Sequence, residues 1–194
     1  MYEYIEGKLT ILNPDHAIIE TNGIGWFINI SLNTFSALKG LPQCKLFIHH
    51  IVREDAELLY GFDTVEERKI FRQLIAISGV GPNTARLILS SMTPMEFVMA
   101  ITHADLPALK KIKGIGEKSA QRMIVELKDK MAKYDLSGEN IGTIHNTSQN
   151  EALSALTALG FGKAVAEKAI QRIINKSGSE ASVEILIKEA LKIL

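Results

Sequence analysis

Ile77-Ser-Gly79-Val-Gly81-Pro-Asn-Thr84-Ala85 and Ile112-Lys-Gly114-Ile-Gly116-Glu-Lys-Ser119-Ala120 are one pattern written twice, 35 residues apart. Each copy follows one helical pattern and precedes another, so each reads as helix, tight hairpin, helix. Glycine at the first and third turn positions permits positive φ and lets the main chain approach a partner that any Cβ would hold off. Val80 or Ile115, between the glycines, plugs the small core beneath. The second helix of each copy presents its free N-terminal N–H groups, with the positive end of its dipole, at the mouth of the hairpin. Such a mouth suits an anion. Two of them related by pseudo-symmetry suit phosphates of both strands across one minor groove, whatever the base sequence. The expected phosphate-binding residues are Gly79, Val80, Gly81 and Thr84 in the first copy and Gly114, Ile115, Gly116 and Ser119 in the second. Lys118 and Arg122 add charge.

One Gly-x-Gly between helices is commonly a steric device, and it is the duplicate in matched surroundings that points to phosphate. Neither copy has the Gly-x-x-x-x-Gly-Lys-Ser/Thr spacing of a nucleotide-hydrolysing loop, so no nucleotide chemistry is expected.

The charge distribution agrees. The chain of 194 residues is neutral overall, with 22 Lys and Arg against 22 Asp and Glu, which by itself argues against a nucleic-acid partner. The total hides an asymmetry. Residues 1–62 hold seven acidic and four basic residues, and residues 63–135 hold nine acidic and twelve basic. Around the second hairpin, Lys110, Lys111, Lys113, Lys118, Arg122, Lys128, Lys130 and Lys133 face only Glu117, Glu126 and Asp129, a stretch suited to lie against phosphates.

Outward from the hairpins the chain changes character. Residues 1–62 read as five short strands: Ile5 to Leu12, His16 to Thr21, Gly25 to Ile30, Lys45 to Val52 and Glu57 to Phe62. Asn22-Gly23 marks a type I′ hairpin turn, whose central positions need positive φ. Five such strands predict a small barrel of the OB type, with an SH3-like barrel as the alternative. From residue 63 the period is helical. Thr64 with Glu67 forms a capping box, Thr93-Pro94-Met95-Glu96 opens a helix the same way, Asp105 caps a short helix, and a long one runs from Glu117 to about Tyr134. Residues 136–149, polar and rich in Gly, Ser and Asn, read as a flexible linker. Residues 150–194 then carry three helical patterns, Glu151 to Leu159 stopped by Gly160, Lys163 to Asn175, and Ser182 to Leu194, a tethered three-helix bundle. The fold class is therefore multi-domain, β then all-α: barrel 1–62, tandem helix-hairpin-helix 63–135, linker 136–149, three-helix domain 150–194.

Other chemistries are not supported. Cys44 is the single cysteine and reads as a structural thiol, and no His, Cys or acidic residues have metal-ligand spacing. His49-His50 reads as ordinary strand histidines, one facing inward and one outward. Asn146-Thr147-Ser148 fits a glycosylation sequon, but no apolar run approaches the ~18 residues of a membrane span and the N-terminus lacks a secretory pattern, so a cytoplasmic protein is expected. No catalytic residues, cofactor or metal are expected.

With barrel, twin hairpins and tethered helices in that order, and with Val52-Arg53-Glu54-Asp55-Ala56-Glu57-Leu58-Leu59-Tyr60-Gly61-Phe62 between the first two, the chain resembles the RuvA family of Holliday-junction-binding proteins along nearly its full length. The resemblance implies a four-fold homotetramer, with an octamer as the alternative, whose concave face holds an open, square-planar four-way junction. Glu54 and Asp55 would be the acidic pin at the junction centre, where carboxylates repel phosphates and disfavour continuous duplex. It further implies that the C-terminal helices, similar to a ubiquitin-associated bundle with Leu159-Gly160-Phe161 as its first loop, bind the hexameric ATPase RuvB. Ile187 and Leu191 are the candidate contacts, and the RuvC resolvase is a further partner. Asn83 and Glu117 stand where the family often has basic residues, so a lower salt slope than that of a more basic relative is expected.

The residues leave two other readings open. A helix-hairpin-helix glycosylase would need a catalytic Asp about twenty residues past a hairpin. Asp135 lies near that distance but lacks the Val-Asp-Thr-His context. An adaptor would act through the C-terminal helices, with the hairpins as scaffold only.

Overall fold

The computed structural model describes residues 2–131, 144–177 and 181–194. They fall in two compact units, Met1–Leu136 and Ser137–Leu194.

The first unit opens with β1 (Tyr4–Leu12), β2 (His16–Thr21), β3 (Ile24–Ile30), α1 (Leu32–Leu38), β4 (Gln43–Val52) and β5 (Glu57–Phe62). The strands close into a barrel in the order β1-β2-β3-β5-β4. All pairings are antiparallel except β3 with β5. That one parallel join, spanned by α1 and β4, favours the OB-type barrel over an SH3-like one. Strand periodicity builds the interior: Ala17 and Ile19, Ile28 and Ile30, and Leu46 and Ile48 are all buried. Asn22 and Gly23 both take positive φ, 53° and 81°, as the tight β2–β3 turn requires. Helix α1 is not foreseen in the strand reading. Its local cause is Ser31, whose hydroxyl accepts from the Thr34 N–H, and Leu38 then seals the barrel interior.

Helices α2 (Val65–Ile75), α3 (Pro82–Ser91), α4 (Pro94–Thr102), α5 (Leu106–Lys110) and α6 (Glu117–Met131) follow. They share one apolar core, in which Tyr60 and Phe62 of β5 meet Phe71 of α2 at ring separations of 5.1 and 4.9 Å. Strand therefore gives way to helix near residue 62, but the packing runs on unbroken. Side chains pin the junction between barrel and helices. Asn33 of α1 donates to the carbonyls of Leu89 and Met92 at the end of α3, at 2.6 and 2.9 Å. Arg86 of α3 donates to the Asp15 carbonyl at 2.8 Å.

Two adjacent buried charges at the start of α2 complete the dock. The Glu67 carboxylate accepts from the Ser31 and Thr34 hydroxyls, and burial pushes its pKa up while those bonds pull it down. Arg68 donates to the carbonyls of Glu3 and Ile48, at 2.8 and 3.3 Å, and meets the Glu3 carboxylate. The capping box expected at Thr64 is consequently half formed. Thr64 accepts from the Glu67 N–H at 3.1 Å, but the Glu67 side chain turns to the barrel instead of back to Thr64. At Thr93 and Glu96 both halves are present.

The second unit is a three-helix bundle of α7 (Ile144–Ala158), α8 (Lys163–Ser177) and α9 (Val183–Ala190). Ala152, Leu156, Ala166, Ile170, Ile173 and Leu186 form its core. Residues 144–149, read as the end of the linker, belong instead to α7. A helix nucleated on Ala152 and Leu156 extends backward through polar residues because propagation is far easier than nucleation. Residues 136–143, Lys133 and Asp135 lie outside the described residues. Gly160 ends α7 at φ +98°, with Phe161 N–H bonded to the Leu156 carbonyl at 3.1 Å.

Candidate nucleic-acid interface

Each hairpin is built by the same three main-chain bonds. In the first, Ile77 N–H donates to Leu74 at 3.0 Å, Val80 to Ile77 at 3.0 Å, and Ala85 to Gly81 at 2.9 Å. In the second, Ile112 donates to Leu109 at 3.2 Å, Ile115 to Ile112 at 3.1 Å, and Ala120 to Gly116 at 2.9 Å. Every donor and acceptor recurs at the offset seen in the sequence. Beneath them Ile77, Val80, Ala85 and Ile88 repeat as Ile112, Ile115, Ala120 and Met123, all buried in one cluster.

The two glycines of each turn do different work. Gly79 and Gly114 take φ of +89° and +86°, a conformation that penalises any Cβ. Gly81 caps α3 with extended backbone at φ −80°, and Gly116 is likewise absent from the positive-φ residues. The expectation of positive φ at both positions is therefore corrected. At the third position a Cβ would meet nothing within 4 Å of the protein, so no packing contact within the chain requires the bareness there.

Val80 and Ile115 are corrected too. The two residues are 5% and 6% exposed, and their N–H groups close the turns on Ile77 and Ile112. They shape the mouth and do not line it. The amides left without a main-chain acceptor among the described residues are those of Ser78, Gly79, Gly81, Asn83 and Thr84, and of Lys113, Gly114, Gly116, Glu117, Lys118 and Ser119. No side chain caps α3, whose first position is Pro82, so its amides and dipole face outward. Thr84 and Ser119 are half-buried beside these amides, while Lys118 is exposed and makes no bond within the described residues.

Two further side chains are already engaged. Arg122, expected to face a phosphate, donates from one guanidinium nitrogen to the Ser78 carbonyl of the first turn at 2.9 Å. Glu117 pairs with Lys110 at 3.1 Å, which removes one lysine from the free basic set. Asn83 accepts from the Tyr60 hydroxyl at 3.4 Å, tying the first mouth to β5. Sequence reasoning missed Tyr60 as a support, its only signal being an aromatic polar tip at an otherwise apolar strand end.

Glu54 and Asp55 sit exposed at the tip of the β4–β5 hairpin, which Arg53 N–H closes on the Ala56 carbonyl at 2.8 Å. Nearby, His50 Nε2 lies 2.7 Å from Glu57 Oε1. His49 stacks edge-on against Phe71 at 5.4 Å, and burial with the Arg72 and Arg68 charges lowers its pKa. Burial pushes the Cys44 thiol up to about 11, which leaves it without thiolate reactivity. Among the described residues no group of His, Cys, Asp or Glu is placed to hold a metal, and no helix is long and apolar enough to cross a membrane.

In the second unit, Leu191 is 46% exposed, but Ile187 packs against the bundle core. The exposed apolar residue of α9 itself is Ile185.

Comparison with known families gives three matches in succession along the chain. Residues 1–61 match the RuvA N terminal domain, residues 71–129 a SAM-like helix-hairpin-helix tandem, and residues 147–194 the RuvA C-terminal domain. Among curated relatives, the Holliday junction branch migration complex subunit RuvA of Bacteroides fragilis is 46% identical, with 99% of each chain covered. The proteins of the same name from Cytophaga hutchinsonii and Porphyromonas gingivalis are each 45% identical, over 99% and 100% of both chains.

Proposed function

The chain belongs to the RuvA family, and on that premise we propose that it binds Holliday junctions as the non-catalytic, DNA-binding subunit of a branch migration complex. The observation that carries this reading is the pair of equivalent hairpins, each offering unpaired amides at a helix N-terminus behind a glycine-bared turn. Such donors hold phosphates and carry no base information. Gly79, Gly81, Thr84, Gly114, Gly116, Lys118 and Ser119 form the grip, and Val80 and Ile115 set its shape from below.

Structure selectivity belongs to Glu54 and Asp55. Exposed carboxylates at a hairpin tip repel a continuous duplex and tolerate a point where strands part. For that tip to reach a junction centre, several copies must surround the DNA, and a homotetramer is the assembly, with an octamer as the alternative. Residues 1–62 serve the centre and residues 63–135 the arms. The second unit, residues 150–194, recruits the RuvB ATPase, which supplies the ATP-driven work; Leu191, and Ile187 at its half-buried edge, are the contacts. The RuvC resolvase acts on the same junction, and the cytoplasm follows from the DNA partner.

A gel-shift comparison of four-way junction, duplex and single strand at one salt concentration tests this. Tightest binding to the junction is expected, and equal affinity for duplex overturns the selectivity.

A further inference from the structure

Arg122 on the helix of the second motif bonds the carbonyl of Ser78 in the turn of the first, across 44 residues of sequence. Both ends are held. Ser78 lies between buried Ile77 and Val80, and Arg122 precedes buried Met123. No main-chain N–H among the described residues reaches the Ser78 carbonyl, so the guanidinium satisfies an otherwise open acceptor in a hairpin turn.

The bond also breaks the pseudo-symmetry. Shifted by the repeat, Arg122 corresponds to Leu87, which is 40% exposed and has no donor, and Ser78 corresponds to Lys113. Only one direction of reach exists, from the second helix back to the first turn. A repeat that needed Arg122 merely as an added charge would gain as much from a basic residue at position 87, on the matching face of the first helix.

We propose that Arg122 is a positioning residue: by bonding the Ser78 carbonyl it fixes the first hairpin relative to the second, and it is not a phosphate ligand in its own right. Two mouths grip two strands of one duplex arm only when their separation matches the groove, so a tie between them acts on affinity through preorganisation. This inference rests on the DNA-binding reading above. Lys118, one turn earlier on the same helix face and free of partners among the described residues, is the phosphate-facing charge and the natural control.

The test uses the full chain in three forms: unaltered, Arg122→Gln and Lys118→Gln. Amide hydrogen exchange is first followed without DNA, and junction affinity is then titrated against salt. Arg122→Gln is expected to speed exchange across residues 77–85, though the change lies on α6, and to weaken junction binding with the salt slope unaltered. Lys118→Gln is expected to leave that exchange as it was and to lower the slope by about 0.9 for each phosphate it no longer neutralises. Unchanged exchange at residues 77–85 in Arg122→Gln overturns the proposal, and so does a slope that falls as it does for Lys118→Gln. If the unaltered chain binds no junction, the DNA reading fails and takes this role with it, a failure visible in the titration alone and distinct from the exchange result.

Discussion

Gly79 and Gly114, separated by 35 residues, hold the same left-handed backbone within three degrees, φ +89° and +86°. Gly81 and Gly116, two residues on in each case, do not share it. Alanine therefore acts differently at the two positions. Gly79→Ala or Gly114→Ala is expected to lower stability by about 1–2 kcal/mol, the cost of a Cβ in the left-handed region. Gly81→Ala or Gly116→Ala is expected to lower stability by less, no more than about 1 kcal/mol for alanine at a helix N-cap, and still weaken DNA binding, because the added methyl meets nothing in the protein. Equal destabilisation at all four positions contradicts this division.

Ala104 offers the converse test. It ends α4 at φ +55°, with its N–H bonded to Ile101 and the Asp105 N–H to Ala100, at 3.1 and 2.8 Å. This is the bond pair of a helix end that normally holds glycine. Ala104→Gly is expected to raise stability by roughly 0.5–1 kcal/mol, since strain relief outweighs the added chain freedom. Thermal unfolding reads the outcome, and a lower midpoint counts against it.

Glu67 makes the fold sensitive to pH. Burial raises its folded pKa above the ordinary value near 4.5, so the fold favours the protonated form. That contribution is complete below the ordinary value and is lost as pH rises through the raised one. Glu67→Gln removes the titration. Measured by urea unfolding between pH 4 and pH 8, the stability of Glu67→Gln relative to the parent chain is expected to increase with pH, whereas parallel curves rule this out. Glu67→Ala, which strands the Ser31 and Thr34 hydroxyls, is expected to destabilise by about 1–3 kcal/mol.

The proposed pin separates selectivity from affinity. Glu54 and Asp55 are exposed and carry no ion pair among the described residues, so replacing them by Gln and Asn leaves folding intact. Duplex binding is expected to strengthen and junction preference to shrink, as like-charge repulsion is removed. Unaltered duplex affinity in a competition assay refutes that role.

What the sequence reveals follows from which interactions are local. The five strands stand within two residues of their expected bounds because alternation and turn residues are read over a few positions. The hairpins are legible for a second reason: a repeat displays the same local demands twice. Helix α1 escapes the strand reading since seven residues give too little periodicity, though Ser31 is a cap in plain view. Glu67 reads as part of a local cap, but its carboxylate bonds Ser31 and Thr34, more than thirty residues earlier. Arg122 shows the same limit more sharply. Its acceptor is a main-chain carbonyl, which every residue possesses and no sequence pattern marks. Val80 and Ile115 are legible as plugs but not as amides turned inward, because only the backbone geometry tells where an N–H points.

Amide hydrogen exchange of the chain saturated with a four-way junction tests the twin-hairpin grip most directly. The account predicts that the amides of Gly79, Gly81 and Thr84 and those of Gly114, Gly116 and Ser119 become protected together, with the inward-bonded Val80 and Ile115 changing least. Bound junction with both turns still exchanging at their free rates contradicts it.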